Sequence, residues 1–203
     1  GEDISRDWVA ERAPEILDLA EAQTASFFEA AWALAAVAFR ELAVDVAIWE
    51  VGLGGRLDAT NVADPVVSAI TSIGLDHTHI LGASLDAIAA EKAAIFRHGV
   101  PALTAATGDG LKALRSHAPD HLQVVDVRSD LPRLGLPGNH HQHNASLALA
   151  VADAFGARCT PDSLERVRWP GRGERIKNVI LDCAHNPHAL DALGQWIRES
   201  GLG

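Results

Sequence analysis

The sequence predicts an α/β fold built on a mostly parallel sheet. Three observations lead there. Short runs rich in β-branched and other apolar residues alternate with stretches of helical length along most of the chain. Those short runs end in loops carrying glycine or an acidic residue. Hydrophobic residues make up 48% of the 203 and charged residues 22%, which is the composition of a chain with a sizeable buried core.

Taken in order, Ser5 can cap a helix over Arg6–Ala20, which Pro14 should kink. Phe27–Leu42 is apolar, Ala-rich and of helical length, so it reads as a buried helix. Asp45–Val51 is a short apolar run before a glycine-rich loop and reads as a buried strand; Val66–Ile73 reads as a second strand. Ser84–Phe96 is a helix with Ser84 as N-cap. Pro101–Thr104 and Leu122–Val127 are strands flanking a helix over Gly110–His117, and Leu131–Pro137 is a turn-rich connector. Asn144–Phe155 is a helix stopped by Gly156, and Pro161–Val167 a short one. The polar, Gly- and Arg-rich stretch Trp169–Lys177 reads as an interdomain hinge. Val179–Asp182 is then a new strand, and Pro187–Glu199 a helix with Pro in its first turn. A domain does not close on one strand and one helix, so a truncated second domain is expected after the hinge.

Charge and cysteine content narrow the function classes. A net charge of -10 argues against general nucleic-acid binding, which needs Lys and Arg against phosphates, though local anion sites remain open. Two cysteines, Cys159 and Cys183, without metal-type spacing fit a reducing cytoplasm better than a disulfide framework. No signal peptide is visible, and the most apolar stretch, Ala30–Val37, is too short to span a bilayer, so no membrane association is expected. Met and Tyr are absent. Short contiguous motifs therefore carry the functional argument.

Glu50-Val51-Gly52-Leu53-Gly54-Gly55-Arg56-Leu57-Asp58-Ala59-Thr60-Asn61 is the most informative of them. An acid at a strand end followed by three glycines suits close approach to a ligand, and it suits an ordinary strand-to-loop turn equally well. Thr71-Ser72-Ile73-Gly74-Leu75-Asp76-His77 repeats the pattern. Its carboxylate and imidazole could share a divalent cation, or His77 could simply bond a neighbouring loop. Lys92, in Glu91-Lys92-Ala93-Ala94-Ile95-Phe96, would repel a nearby metal unless carbamylated into an anionic oxygen ligand. The tract Gly138-Asn139-His140-His141-Gln142-His143-Asn144-Ala145 could bind metal or be a loop entering a helix, and Asn144 could read an adenine edge. Arg172 in Trp169-Pro170-Gly171-Arg172 offers a permanent cation for phosphate, or a solvated charge beside a buried Trp. In Leu181-Asp182-Cys183-Ala184-His185-Asn186-Pro187, Asp182 and His185 could contact a nucleotide or serve as helix caps.

In this order, from about Gly1 to Pro187, EVGLGGRLDATN, TSIGLDH, EKAAIF, GxHxxxNA, WPGR and LDCAHNP resemble folylpolyglutamate and dihydrofolate synthases, members of the Mur ligase superfamily. The resemblance implies a P-loop-type central domain over residues 1–172 and the start of a smaller Rossmann-like C-terminal domain over 173–203. It implies an ATP-dependent ligase that adds L-glutamate to dihydropteroate or a reduced folate through an acyl phosphate, with ATP and Mg²⁺ as cofactors. The cysteine content places it in the cytoplasm, and a monomer is the default expectation. By the same resemblance Glu50 and His77 match magnesium ligands, and Lys92 matches a lysine carbamylated in the family; these three form the catalytic and metal set. Asn144, Arg172 and Asp182 match ATP-contacting positions, and His185 lies in the same nucleotide-facing motif. Leu57, Asp58 and Ala59, with Ser26, Phe27, Phe28 and Glu29, match segments lining the pterin site.

The sequence departs from the family in three ways. The P-loop G-x-x-G-K-[ST] does not occur in it and is expected upstream of Gly1. His141 stands where the family often has Gln, and Cys183 where it often has Gly. Most of the C-terminal domain is missing, so the 203 residues alone are expected to lack ligase activity. Two rival readings stand beside the ligase: a Mur-type ligase acting on a cell-wall precursor, and a non-catalytic fragment that binds a pterin or nucleotide.

Overall fold

In the computed structural model, which describes residues 2–201 with the side chain of His188 excepted, the chain divides into two units, Gly1–Asp64 and Pro65–Gly203. The boundary expected near Arg172 falls within the second.

The first unit is built on two helices, α1 (Arg6–Ala22) and α2 (Phe27–Glu41), which pack on each other. Ser5 caps α1 by accepting from the Trp8 N–H at 3.4 Å, as its place before the helical run suggests. Pro14 lies inside α1, where it deletes one backbone donor; no residue of α1 is fully buried. The helix is held to α2 at its polar surface, where the Glu41 carboxylate accepts from Trp8 Nε1 at 3.0 Å and from Arg12 Nε at 3.3 Å. Trp49 packs against Trp32 and Phe39 of α2, with ring centroids 5.2 and 5.1 Å apart. Residues 45–51, expected to be a strand, are not one. They have no ladder partner among the described residues, and Ile48 is 88% exposed. An apolar run becomes a strand only where a neighbour takes up its N–H and C=O groups.

The second unit holds a parallel sheet in the order β1 (Ser68–Ile70), β2 (Ala102–Thr104), β3 (Gln123–Val124). Ser68 pairs with Ala102, and Leu103 with Gln123. Connections run through α3 (Thr78–Leu81) and α4 (Leu85–Ala93), then through α5 (Gly108–Arg115). Ser84 caps α4 as expected, accepting from the Ala87 N–H at 3.1 Å. The fully buried Ile88 and Leu114 lie on α4 and α5, which pack together. Helix α6 (Asn139–Phe155) packs on β1 and β2. Leu103, Ala105 and Leu147 centre the core there, with Val67, Ala69, Val125, Ala150 and Val151 around them. Thr104 is buried in the central strand without cost in unpaired groups: its hydroxyl donates to the Ile70 carbonyl at 2.7 Å and accepts from the Ala106 N–H at 3.0 Å.

Two expectations change here. Helix α6 begins at Asn139, not Asn144, so the histidine tract forms its first turns; Gly156 ends it with φ 84°, as expected. The stretch expected to be a hinge contains β4 (Glu174–Ile176), which pairs antiparallel with β5 (Val179–Leu181) across Lys177-Asn178. Strand β5 therefore does not open a new parallel sheet. The cause is local: a two-residue connection, with Lys177 at φ 57°, brings consecutive strands back as a hairpin. Helix α7 (Pro187–Glu199) has the bounds read from the sequence and packs on α6.

Candidate functional site

The first unit presents the glycine-rich loop. It closes around Asp58, whose Oδ2 accepts from the Gly52 and Leu53 N–H groups at 3.0 and 2.9 Å. Its Oδ1 accepts from the Thr60 N–H at 3.0 Å and the Thr60 hydroxyl at 2.6 Å. Burial pushes the Asp58 carboxyl up, but Thr60, Leu53 and Gly52 together hold it below its usual value. Asp58 thus caps the 3₁₀ turn Ala59–Val62 and folds the loop. The Phe28 ring closes over Gly52, where an added Cβ would lie 2.5 Å from Cζ. Two segments far apart in sequence, Phe28 and the loop, are therefore in contact, while Phe27 and Leu57 are 83% and 80% exposed.

Ser26 and Glu29 have a structural task. They form a capping box at the start of α2: the Ser26 hydroxyl accepts from the Glu29 N–H at 3.2 Å, and Glu29 Oε2 accepts from the Ser26 N–H at 2.7 Å. The Ser26 hydroxyl and N–H lower the Glu29 carboxyl below its ordinary value. The S-x-x-E spacing was a sequence signal for this box. Glu50 is exposed just ahead of the loop.

The second unit presents the remaining residues. His77, at the end of the segment after β1, adopts the left-handed conformation, φ 47° and ψ 37°, and precedes α3. Its N–H donates to Asp76 Oδ1 at 2.8 Å. Lys92 is half-buried in the last turn of α4. Asn144 is exposed on α6. Among the described residues, no three His, Cys, Asp or Glu side chains converge on a metal-sized point.

Arg172 sits in a turn pinned on both sides. The Gly171 N–H donates to Glu174 Oε2 at 2.9 Å, and the Gly173 N–H donates to Asp182 Oδ2 at 2.8 Å. Asp182 Oδ1 also accepts from the Ala184 N–H at 2.8 Å. Gly171 and Gly173 take φ of 68° and 61°, and a Cβ on Gly173 would meet Pro137 Cγ at 2.4 Å. Only glycine meets both demands at 173. Arg172 lines an open cavity of about 1510 Å³ shared with Trp169, Gly138, Gln142, Arg175 and Trp196.

His141, noted in the sequence as a departure from the family but given no role, belongs to this region. It stacks on His140 at 4.0 Å, and its pKa falls to about 4 because of burial first, then the charges of His140 and Arg172, with Asp182 opposing. An unfolded His titrates near 6.5. The unfolded chain therefore takes up this proton first, so stability is level above about pH 7 and falls as pH drops from about 6.5 toward 4. His141→Gln is expected to remove that acid-side loss, measured as urea midpoints between pH 7 and 5.

No protein-family model matches the chain. A probable bifunctional folylpolyglutamate synthase/dihydropteroate synthase of Haloferax volcanii is 34% identical across 90% of this chain and 26% of its own length. The dihydrofolate synthase/folylpolyglutamate synthase of Bacillus subtilis is 33% identical across 91% of this chain and 52% of its own. The structure of E. coli FolC in complex with ADP superposes with a TM-score of 0.85 and 31% identity, covering 98% of this chain and 54% of that one. The chain thus spans about a quarter to a half of the curated relatives' length. No helix among the described residues is long and apolar enough to cross a membrane. Over the stretch it spans, the chain is similar to folylpolyglutamate and dihydrofolate synthases.

Proposed function

We propose that this chain is part of an ATP-dependent ligase that joins L-glutamate to the carboxylate of dihydropteroate or a reduced folate. The observation that carries the reading is the presentation of Arg172, an exposed guanidinium on a turn locked by Asp182 and Glu174 at the wall of a cavity. A carboxylate is a poor electrophile, so it first takes the γ-phosphoryl group of ATP, with ADP leaving. The glutamate amine then attacks the acyl phosphate, and phosphate leaves as the amide forms. Arg172 offsets charge on the phosphoryl group in transit. Asp182 holds the turn that aims Arg172, His185 flanks the same segment, and Asn144 meets the adenine edge. Phe28 and the loop folded by Asp58 receive the pterin, with Ser26 and Glu29 fixing the start of the helix that carries Phe27 and Phe28.

Each unit offers donor types that magnesium accepts. In the first, Glu50 has a hard carboxylate; in the second, His77 has an imidazole, and a carbamylated Lys92 would add an anionic oxygen. A magnesium ion held by such donors would neutralise phosphate charge.

The test is ADP release. The 203 residues alone, which contain no G-x-x-G-K-[ST] run, are expected to release none above background with ATP, Mg²⁺, L-glutamate and a pterin. Put in place of the matched stretch of the Bacillus subtilis relative, the chain is expected to release ADP only with both glutamate and a pterin. Release driven by a cell-wall precursor instead, or no pterin-dependent release at all, would reject the reading.

A further inference from the structure

We propose that Asp76 and Asn186 are a pair of positioning residues that tie the loop carrying His77 to the loop carrying Asp182 and His185. The two residues lie 110 positions apart, and Asn186 Nδ2 donates to Asp76 Oδ2 at 2.9 Å in a partly buried contact. Each is also committed within its own loop. Asp76 Oδ1 accepts from the His77 N–H at 2.8 Å, which supports a left-handed backbone that a residue with a Cβ avoids. Asn186 Oδ1 accepts from the Ala189 N–H at 2.8 Å and so caps α7. Three hydrogen bonds in a row therefore run from His77 to the first turn of α7 through two side chains.

The chain of bonds has a direction that neither side chain can reverse alone. In Asp76→Asn, an amide that keeps its oxygen on His77 turns its NH₂ toward the NH₂ of Asn186. Flipping Asn186 to accept would surrender the cap on Ala189. In Asn186→Asp, two carboxylates face each other. The exchanged pair, Asp76→Asn with Asn186→Asp, restores every bond: Asn at 76 accepts from His77 and donates to Asp at 186, which still accepts from Ala189. Asp is as good an N-cap as Asn. The clip exists whatever the chain binds; its consequence for His77 as a metal ligand rests on the ligase reading.

The experiment compares the wild type, both single variants and the exchanged pair by amide hydrogen exchange and by imidazole NMR with Mn²⁺ as the probe. Exchange at the His77 and Ala189 amides is expected to rise about tenfold in Asp76→Asn, the loss of one partly buried bond to a charged group. Asn186→Asp should behave alike at His77, and the exchanged pair should return to wild-type rates. Mn²⁺ is expected to broaden the His77 imidazole signals in the wild type and the exchanged pair more than in either single variant. Unchanged exchange in both single variants, or an exchanged pair no better than Asn186→Asp, would overturn the proposal. If Mn²⁺ does not touch His77 even in the wild type, the metal assignment falls, and the exchange rates alone decide the clip.

Discussion

Asp58→Ala is expected to destabilise the first unit by about 3 kcal/mol, because hydrogen bonds to a charged group contribute about 1.5–3 kcal/mol each and the loop offers partial replacement by water. The variant leaves the Gly52, Leu53 and Thr60 N–H groups and the Thr60 hydroxyl without their acceptor. Thr60 is buried, so water cannot replace all of these bonds. Asp58→Asn should fall between wild type and alanine, since one amide oxygen can serve either the Gly52–Leu53 side or the Thr60 side, not both. The Asp58 carboxyl is held below its ordinary value in the folded chain. Its stabilisation is therefore present above about pH 4, the unfolded value, and lost as pH falls through the lower folded value. Urea denaturation at pH 7 and at a pH well below 4 checks both statements. Alanine and asparagine variants as stable as the wild type would show that the loop is held by something other than this carboxylate. Pterin affinity should follow loop stability, because Asp58 shapes the loop and spends both oxygens doing so.

Arg172→Ala is expected to lower turnover of the fusion with the Bacillus subtilis relative about 100-fold while leaving stability within about 0.5 kcal/mol of wild type. The separation follows from the geometry. The turn is built by backbone N–H groups of Gly171 and Gly173 on Glu174 and Asp182, and the exposed Arg172 side chain takes no part in it. Arg172→Lys should recover only part of the rate, since an ammonium lacks the planar fork that grips two phosphate oxygens. Asp182→Ala should differ by losing stability and turnover together, because the Gly173 and Ala184 N–H groups lose their acceptor. Steady-state ADP release beside urea midpoints separates the two patterns. An Arg172→Ala variant with normal turnover would remove Arg172 from the phosphoryl site.

Much of this was legible in the residues alone. The caps Ser5, Ser84 and Gly156, the bounds of α7, and the alternation that becomes the β1–β2–β3 sheet are local properties of the chain. So is the order of the short motifs, which carries the resemblance to folylpolyglutamate and dihydrofolate synthases. Caps and helical periodicity act within a turn or two, so a few neighbouring residues decide them. Tertiary structure decided the rest. Whether Asp45–Glu50 became a strand depended on a ladder partner elsewhere in the chain. Whether Asp58 and Asp182 faced ligand or backbone depended on which N–H groups the folded loops brought within 3 Å. The fall of the His141 pKa came from burial beside His140 and Arg172, and the Asp76–Asn186 bond joins residues 110 positions apart. Sequence spacing carries periodicity along one element, whereas a hydrogen bond between elements depends on packing distances that no single segment contains.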